Sequence, residues 1–186
     1  MSKLGIIVAS VRDHRVGAAV AAWCSEQAQA TGQWDVDPID LKDVNLPLLN
    51  EPEHPVKQQY QYEHTKQWSA RVAACDTFVI VTPEYNFGMA PALLNALDYL
   101  AVEWKYKAAG FVSYGGISGG LRSVQMTRVM LANLRMVPVV DAVTIAFVAK
   151  QMADGRFVPN EQNNKAAAAM LAELAKWEGA LKALRG

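Results

Sequence analysis

The chain holds only two cysteines, Cys24 and Cys75, far apart and outside any CxxC pair. That excludes a disulfide framework and reads as reduced thiols in a cytosolic protein. Neither sign of charge is in excess: lysine plus arginine number 18, and so do aspartate plus glutamate. No general field draws in nucleic acid or an anionic membrane, so any anion site must be local. No apolar run approaches the roughly 18 residues of a membrane span. Met1-Ser2-Lys3 leads straight into a strand-like run with no signal peptide. No residues stand at metal-ligand spacing. The expectation is a soluble cytoplasmic chain without nucleic-acid, membrane or metal partners.

What is present is a length of 186 residues, half of them apolar, enough for one domain with a sizeable core. The first apolar run, Leu4 to Val8, reads as a buried strand. It breaks into Ala9-Ser10-Val11-Arg12-Asp13-His14-Arg15 and restarts as a helical pattern at Gly17. A strand feeding a helix through such a loop aims backbone N–H groups, a positive dipole end and guanidinium forks at one point. A phosphate suits that point. A βα turn with solvated arginines is the plainer alternative.

The pattern continues with a helix over Val16–Ala30, where Val20, Trp23, Cys24 and Gln27 recur at helical spacing before Gly32. A strand over Trp34–Leu41 carries Pro38, which places it at a sheet edge. Lys42–Pro55 reads as a long surface loop, a common seat of function. A helix over Tyr60–Ala74 precedes the buried strand Asp76–Thr82, which ends in Pro83-Glu84-Tyr85-Asn86-Phe87-Gly88. A helix over Pro91–Val102 and a strand over Ala108–Ser113 lead to Tyr114-Gly115-Gly116-Ile117-Ser118-Gly119-Gly120. A helix then runs to Leu134, and a strand over Val137–Phe147 is followed by a loop through Asp154-Gly155. A helix over Asn163–Leu184 closes the chain.

Five strands alternating with five helices predict a doubly wound parallel sheet with helices on both faces, and nothing divides the 186 residues into parts. Ligands in such sheets sit beyond the carboxyl ends of the strands, at the switch point of strand order. In a 2-1-3-4-5 order, the loops Ser10–Gly17, Pro83–Gly88 and Tyr114–Gly120 follow adjacent strands and share one crevice. The first offers Ser10, Arg12 and Arg15 to a phosphate. The second offers Tyr85 and Phe87 flanking the amide of Asn86. The third offers glycines that let backbone groups approach a flat polar ring. Phosphate at one end and a planar heterocycle at the other describe a mononucleotide. Taken singly, the aromatics could be ordinary packing and the glycines a tight turn; their co-location favours a ligand.

Ser10 to Gly17, the Pro83-Glu84-Tyr85-Asn86 motif and the Ser113-Tyr114-Gly115-Gly116 turn together resemble the NADPH-dependent FMN reductase family, over nearly the whole chain. The chain departs from the family pattern at Ala9, where glycine is usual. The resemblance implies a flavodoxin-like fold with bound FMN. Ser10, Arg12, Arg15, Val16 and Gly17 would hold its phosphate. Pro83, Glu84, Tyr85 and Asn86, with Phe87 and Gly88, would line the isoalloxazine. Ser113, Tyr114, Gly115 and Gly116 would touch the ring's far edge. It further implies NAD(P)H as hydride donor in a ping-pong cycle, with a small electron acceptor: a quinone, azo or nitro compound, a metal ion or free flavin. No protein acid, base or nucleophile is required, so no catalytic residue is assigned. A homodimer or homotetramer with the flavin near the subunit boundary is implied as well, and Tyr99, Trp104 and Tyr106 fit such an apolar boundary, with simple core packing as the plainer alternative.

Three other readings compete. A dinucleotide-binding domain would use Asp40 for a ribose, but the first loop has no GxGxxG. A serine hydrolase is suggested by Gly116-Ile117-Ser118-Gly119-Gly120, yet His14, His54 and His64 all precede Ser118, whereas that fold's triad needs a histidine after it. A flavodoxin-type electron carrier or FMN-dependent sensor remains. Such carriers tend to be acidic with a hydroxyl-rich phosphate loop, and this chain is neutral with arginines.

Overall fold

A computed structural model describes residues 1–185. Its apolar runs become five parallel strands: β1 (Ser2–Val8), β2 (Trp34–Asp40), β3 (Thr77–Pro83), β4 (Ala108–Tyr114) and β5 (Val137–Ile145). They pair in the order β2-β1-β3-β4-β5, so Pro38 stands on an edge strand as expected. The helices are α1 (Gly17–Ala30), the short α2 (Leu41–Val44), α3 (Glu63–Ala74), α4 (Pro91–Asp98), α5 (Leu121–Asn133) and α6 (Glu161–Lys182). A two-stranded hairpin, β6 (Met152–Ala153) and β7 (Arg156–Phe157), turns at Asp154-Gly155 inside the segment expected as loop.

Strand parity sorts the core into two layers. Leu4, Ile6 and Val8 of β1, Val79 and Val81 of β3, and Val112 and Tyr114 of β4 pack under α1 and α6. Ile7, Phe78, Ile80 and Phe111 face the other way, against α3, α4 and α5. Both faces of every central strand are covered, which is why these strands read as unbroken apolar runs. α6 opens with a reciprocal cap: Asn163 N donates to Asn160 Oδ1 at 2.8 Å, and Asn160 N donates to Asn163 Oδ1 at 3.0 Å.

Two boundaries differ from expectation for identifiable reasons. α3 begins at Glu63 rather than Tyr60, because Gln61 N and Tyr62 N donate to the Glu51 carboxylate at 2.9 and 3.1 Å instead of entering a helix. α4 stops at Asp98 rather than Val102. Its last turn is held by indoles: Trp68 Nε1 donates to Ala96 O at 2.9 Å and Trp104 Nε1 to Leu97 O at 3.2 Å. Tyr99 and Trp104 are fully buried within this one chain, so they are core residues rather than part of a subunit boundary. Cys24 and Cys75 are buried free thiols, pushed up to about 12 and about 11 by burial, which makes them poor nucleophiles. Among the described residues no helix is long and apolar enough to cross a membrane, and no group of His, Cys, Asp and Glu could hold a metal.

Candidate functional site

The first loop leaves β1 where Ala9 N still donates to Val81 O at 3.0 Å, so the chain enters the loop rigidly placed. Ser10 is buried, and its hydroxyl lies 2.7 Å from the Tyr85 hydroxyl. Arg12 is exposed and, among the described residues, makes no salt bridge. Arg15 turns aside instead, pairing through Nη2 with the carboxylate of Asp40 at the end of β2. Asp40 also accepts from Lys42 N at 3.0 Å to cap α2, so it has two partners within the protein. Val16 stands at the N-cap of α1, where no side chain bonds the first N–H groups and no acid sits in the first turn.

The second loop is a tight hairpin. Tyr85 N donates to Gly88 O at 3.0 Å, and Gly88 N to Tyr85 O at 2.9 Å. Asn86 (φ 50°) and Phe87 (φ 68°) are both left-handed, the geometry of a type I′ turn. Asparagine accepts this readily, whereas a phenylalanine there costs about 1–3 kcal/mol. Phe87 is 69% exposed, with the Arg122 guanidinium 4.1 Å from its ring centroid. Glu84 anchors the turn from below. Its carboxylate accepts from Arg122 Nη1 at 2.6 Å, Arg122 N at 3.0 Å and Ser118 Oγ at 3.0 Å. Burial pushes the Glu84 carboxyl up, but these donors outweigh it and hold it below the usual carboxylate range.

The third loop begins at Ser113, which is paired in register with Thr82 and Thr144. Ser113 is buried on the α5 side of the sheet with no partner for its hydroxyl. A Cβ on Gly120 (φ 84°) would come within 2.8 Å of Tyr114 O and 3.0 Å of the Ser113 Cβ, so glycine is required there. Gly115 N donates to Ile145 O at 3.2 Å, and Gly116 O accepts from Phe147 N at 2.9 Å. Gly116 has open space where a side chain would be.

Tyr114 occupies an unexpected place. Strand parity turns its side chain to the opposite face from Ser113, beneath the start of α1. A Cβ on Gly17 would lie 2.3 Å from its hydroxyl oxygen. Among the described residues that hydroxyl is buried without a hydrogen-bond partner, and so is Arg15 Nε. Burial pushes the Tyr114 phenol up, with Tyr85 adding to the rise, while Ser10, Arg15 and Arg12 pull the other way.

The three loops are therefore joined in pairs: Ser10 with Tyr85, Glu84 with Ser118 and Arg122, and Tyr114 with Gly17. Among the described residues, orphaned donors lie at one end, on Tyr114, on Arg15 Nε and at the uncapped start of α1, and the Arg12 cation makes no salt bridge. That set fits a phosphate. Open backbone at Gly116 and the Tyr85–Gly88 turn lie at the other end and fit a planar group. Ser118 donates to Glu84, and no histidine is among its partners, so the hydrolase-like motif is a structural contact. Sequence reasoning missed Arg122 and the Arg15–Asp40 pair. No spacing rule marks either, since their partners lie 38 and 25 residues away.

Scaffold and crevice define a flavodoxin-like protein. The flavoenzyme NAD(P)H:(acceptor) oxidoreductase FerB of Paracoccus denitrificans superposes with a TM-score of 0.77 at 18% identity, covering 95% of this chain and 98% of its own. A flavodoxin of Streptococcus pneumoniae gives 0.58 at 11% identity, covering 94% of this chain and 99% of its own. An NAD(P)H-dependent FMN reductase of Nectria sp. is 33% identical, over 99% of this chain and 94% of that one. Another of Schizosaccharomyces pombe is 38% identical, over 77% of this chain and 73% of that one. The family model of NADPH-dependent FMN reductase matches residues 2–150. The chain belongs to the NADPH-dependent FMN reductase family, flavin-dependent oxidoreductases with FMN as cofactor and NAD(P)H as electron donor.

Proposed function

We propose that this chain holds FMN across the three loops and, in a ping-pong cycle, takes a hydride from NAD(P)H and reduces a small acceptor such as a quinone, azo or nitro compound, a metal ion or free flavin. The observation that carries this reading is the convergence of unanswered donors at the start of α1, after β1, with only β3 between β1 and the strand that leads into the open, glycine-lined turn. Ser10, Arg12, the Nε that Arg15 keeps outside its pair with Asp40, and the α1 backbone at Gly17 bind the phosphate, and Val16 closes that end. Pro83 to Gly88 supply one wall for the ring, and Gly115 and Gly116 supply backbone groups at its edge. Bound FMN supplies hydride acceptance and one- or two-electron transfer, so the protein's share is binding, orientation and exclusion of water.

The Lys42–Pro55 segment shapes acceptor access in this reading. It is pinned in place: Asn95 Nδ2 donates to Pro47 O at 2.7 Å, and Leu49 N donates to Asn95 Oδ1 at 2.9 Å. A cavity of about 480 Å³ lies between Val11, Leu41, Leu46, Ala92 and Ala96, on the crevice side of that segment. Relatives that include an NADPH azoreductase of Bacillus sp. and a probable NADPH:quinone oxidoreductase of Oryza sativa support a small aromatic acceptor. A single domain, a cytoplasmic location and a homodimer or homotetramer with flavin near its boundary complete the reading.

The test is the visible spectrum of the purified protein after FMN loading and removal of free flavin, then after anaerobic NADPH or NADH. Retained bands that bleach, and that recover on adding a quinone, are expected. Retained bands that fail to bleach would replace the reductase by an electron carrier. A colourless protein would refute the site.

A further inference from the structure

Phe87 stands where the backbone least favours a phenylalanine. It fills the second turn position of the Tyr85–Gly88 hairpin at φ 68°, a left-handed place that glycine or asparagine takes without strain. The side chain gains no burial in return, since the residue is 69% exposed. A strained backbone that carries an exposed aromatic does nothing for folding that glycine would not do better. Such outliers gather at ligand clamps and active sites.

The place of the ring is well defined. Tyr85, two residues back, reaches the first loop, with 2.7 Å between its hydroxyl and that of Ser10. Glu84 reaches the third loop, accepting from Ser118 Oγ at 3.0 Å, and also α5, accepting from Arg122 Nη1 at 2.6 Å. The hairpin is tied on both sides, and its tip stands at the mouth of the crevice that the three loops share. Arg122, fixed by Glu84, lays its guanidinium 4.1 Å from the centroid of the Phe87 ring. One face of the ring is covered in this way and its orientation is held. Among the described residues no other aromatic ring stacks on it, so the opposite face is left to solvent.

An aromatic face carries partial negative charge and prefers offset stacking on another ring. A quinone ring, poor in electrons, suits that face. A metal ion or its small complexes offer no flat ring to it.

We propose that Phe87 is a specificity-determining residue: its free face is the platform on which a flat aromatic acceptor stacks at the mouth of the crevice, favouring quinones over metal complexes, with Arg122 and Glu84 as its brace. This rests on the flavin-reductase reading of the crevice. It gives the Phe87 side chain to the acceptor, whereas the family resemblance puts it at the flavin ring; the hairpin backbone keeps its part in the flavin wall.

The experiment compares wild type, Phe87→Leu and Phe87→Gly, loaded with FMN and supplied with NADPH or NADH, on menadione (a naphthoquinone) and on ferricyanide. Leucine keeps the apolar bulk and the left-handed strain but removes the flat face; glycine removes the strain as well. The ratio of kcat/KM for menadione to that for ferricyanide should fall about three- to tenfold in both variants, mainly through KM for menadione. Without flavin, the Tm of Phe87→Gly should equal that of wild type or exceed it by a few degrees, because the ring is not packed. An unchanged ratio would overturn the proposal. FMN binding weakened as much as the ratio falls, read by fluorescence titration, would overturn it by putting the ring against the flavin. A lower Tm for Phe87→Gly would make the ring part of the core, and a changed oligomeric state of Phe87→Leu in size exclusion would make it part of a subunit boundary; either overturns it too. A wild-type protein that fails to bind FMN, or whose flavin is not bleached by either nucleotide, would instead refute the reading on which the proposal stands.

Discussion

Gly17→Ala tests the packing under the first loop without any ligand. The new methyl would stand 2.3 Å from the Tyr114 hydroxyl oxygen and 3.1 Å from the ring carbon that bears it. Neither can retreat easily, because the ring is buried in the apolar layer beneath α1. Overpacking of this kind costs about 1–3 kcal/mol. Alanine gains up to about 1 kcal/mol of helix propensity over glycine in a helix interior, and less at the first helical position. A net loss of about 1–2 kcal/mol remains, or roughly 2–8 °C in Tm for a chain of this size. Removing the hydroxyl as well relieves the shorter contact, so Gly17→Ala/Tyr114→Phe recovers much of the loss. Thermal melts of the flavin-free proteins read all four corners of this cycle. A Gly17→Ala protein as stable as wild type, or a double variant with strictly additive effects, would refute the claimed contact.

Other consequences are as direct. Arg12→Ala removes a guanidinium that makes no salt bridge among the described residues, and FMN affinity falls about tenfold or more; unchanged affinity in a flavin titration would contradict the loop's assignment. Arg128 donates to Val139 O at 2.6 Å and Val140 O at 3.3 Å, where β5 slips register against β4. Arg128→Ala leaves those carbonyls without this donor, so urea unfolding should shift by about 1–3 kcal/mol. Ser118→Ala keeps most flavin reductase turnover in a steady-state assay, since the serine is only one of three donors to Glu84; loss of a measurable esterase activity would revive the hydrolase.

Lys107 gives a pH test. Burial depresses its ammonium to about 8, while its Nζ donates to Val72 O at 2.8 Å. In the unfolded chain the group titrates near about 10.4. Between those values the unfolded state holds the extra proton, so stability rises with pH. Wild type should therefore gain on Lys107→Met from pH 8 to 10 in denaturant melts, and a constant difference would contradict the depressed value.

Much of this molecule is local in origin and was legible in the linear chain. Unbroken apolar runs such as Phe78 to Val81 specify strands covered on both faces. Their alternation with helices, with right-handed crossovers, implies a doubly wound sheet; the β2-β1-β3-β4-β5 order, which brings the three loops together, is seen in the structure. Pro38 announced an edge. Where a helix ends is less local: α4 stops at Asp98 because indoles from α3 and from the segment after α4 bond its last carbonyls. The site divides the same way. That serine, arginine, Tyr85-Asn86 and glycines would share a crevice follows from strand order alone. Which partner each takes does not, because these contacts join residues many positions apart, and their energies depend on side-chain direction and burial. Parity puts Val112 and Tyr114 on one face of β4, but only the packing of α1 over that face brings the Tyr114 hydroxyl under Gly17. Only the close approach of the β1 and β2 ends lets Asp40 take Arg15. Sequence determined the scaffold and the meeting place; tertiary packing decided which groups there are spent on each other and which are left for a ligand.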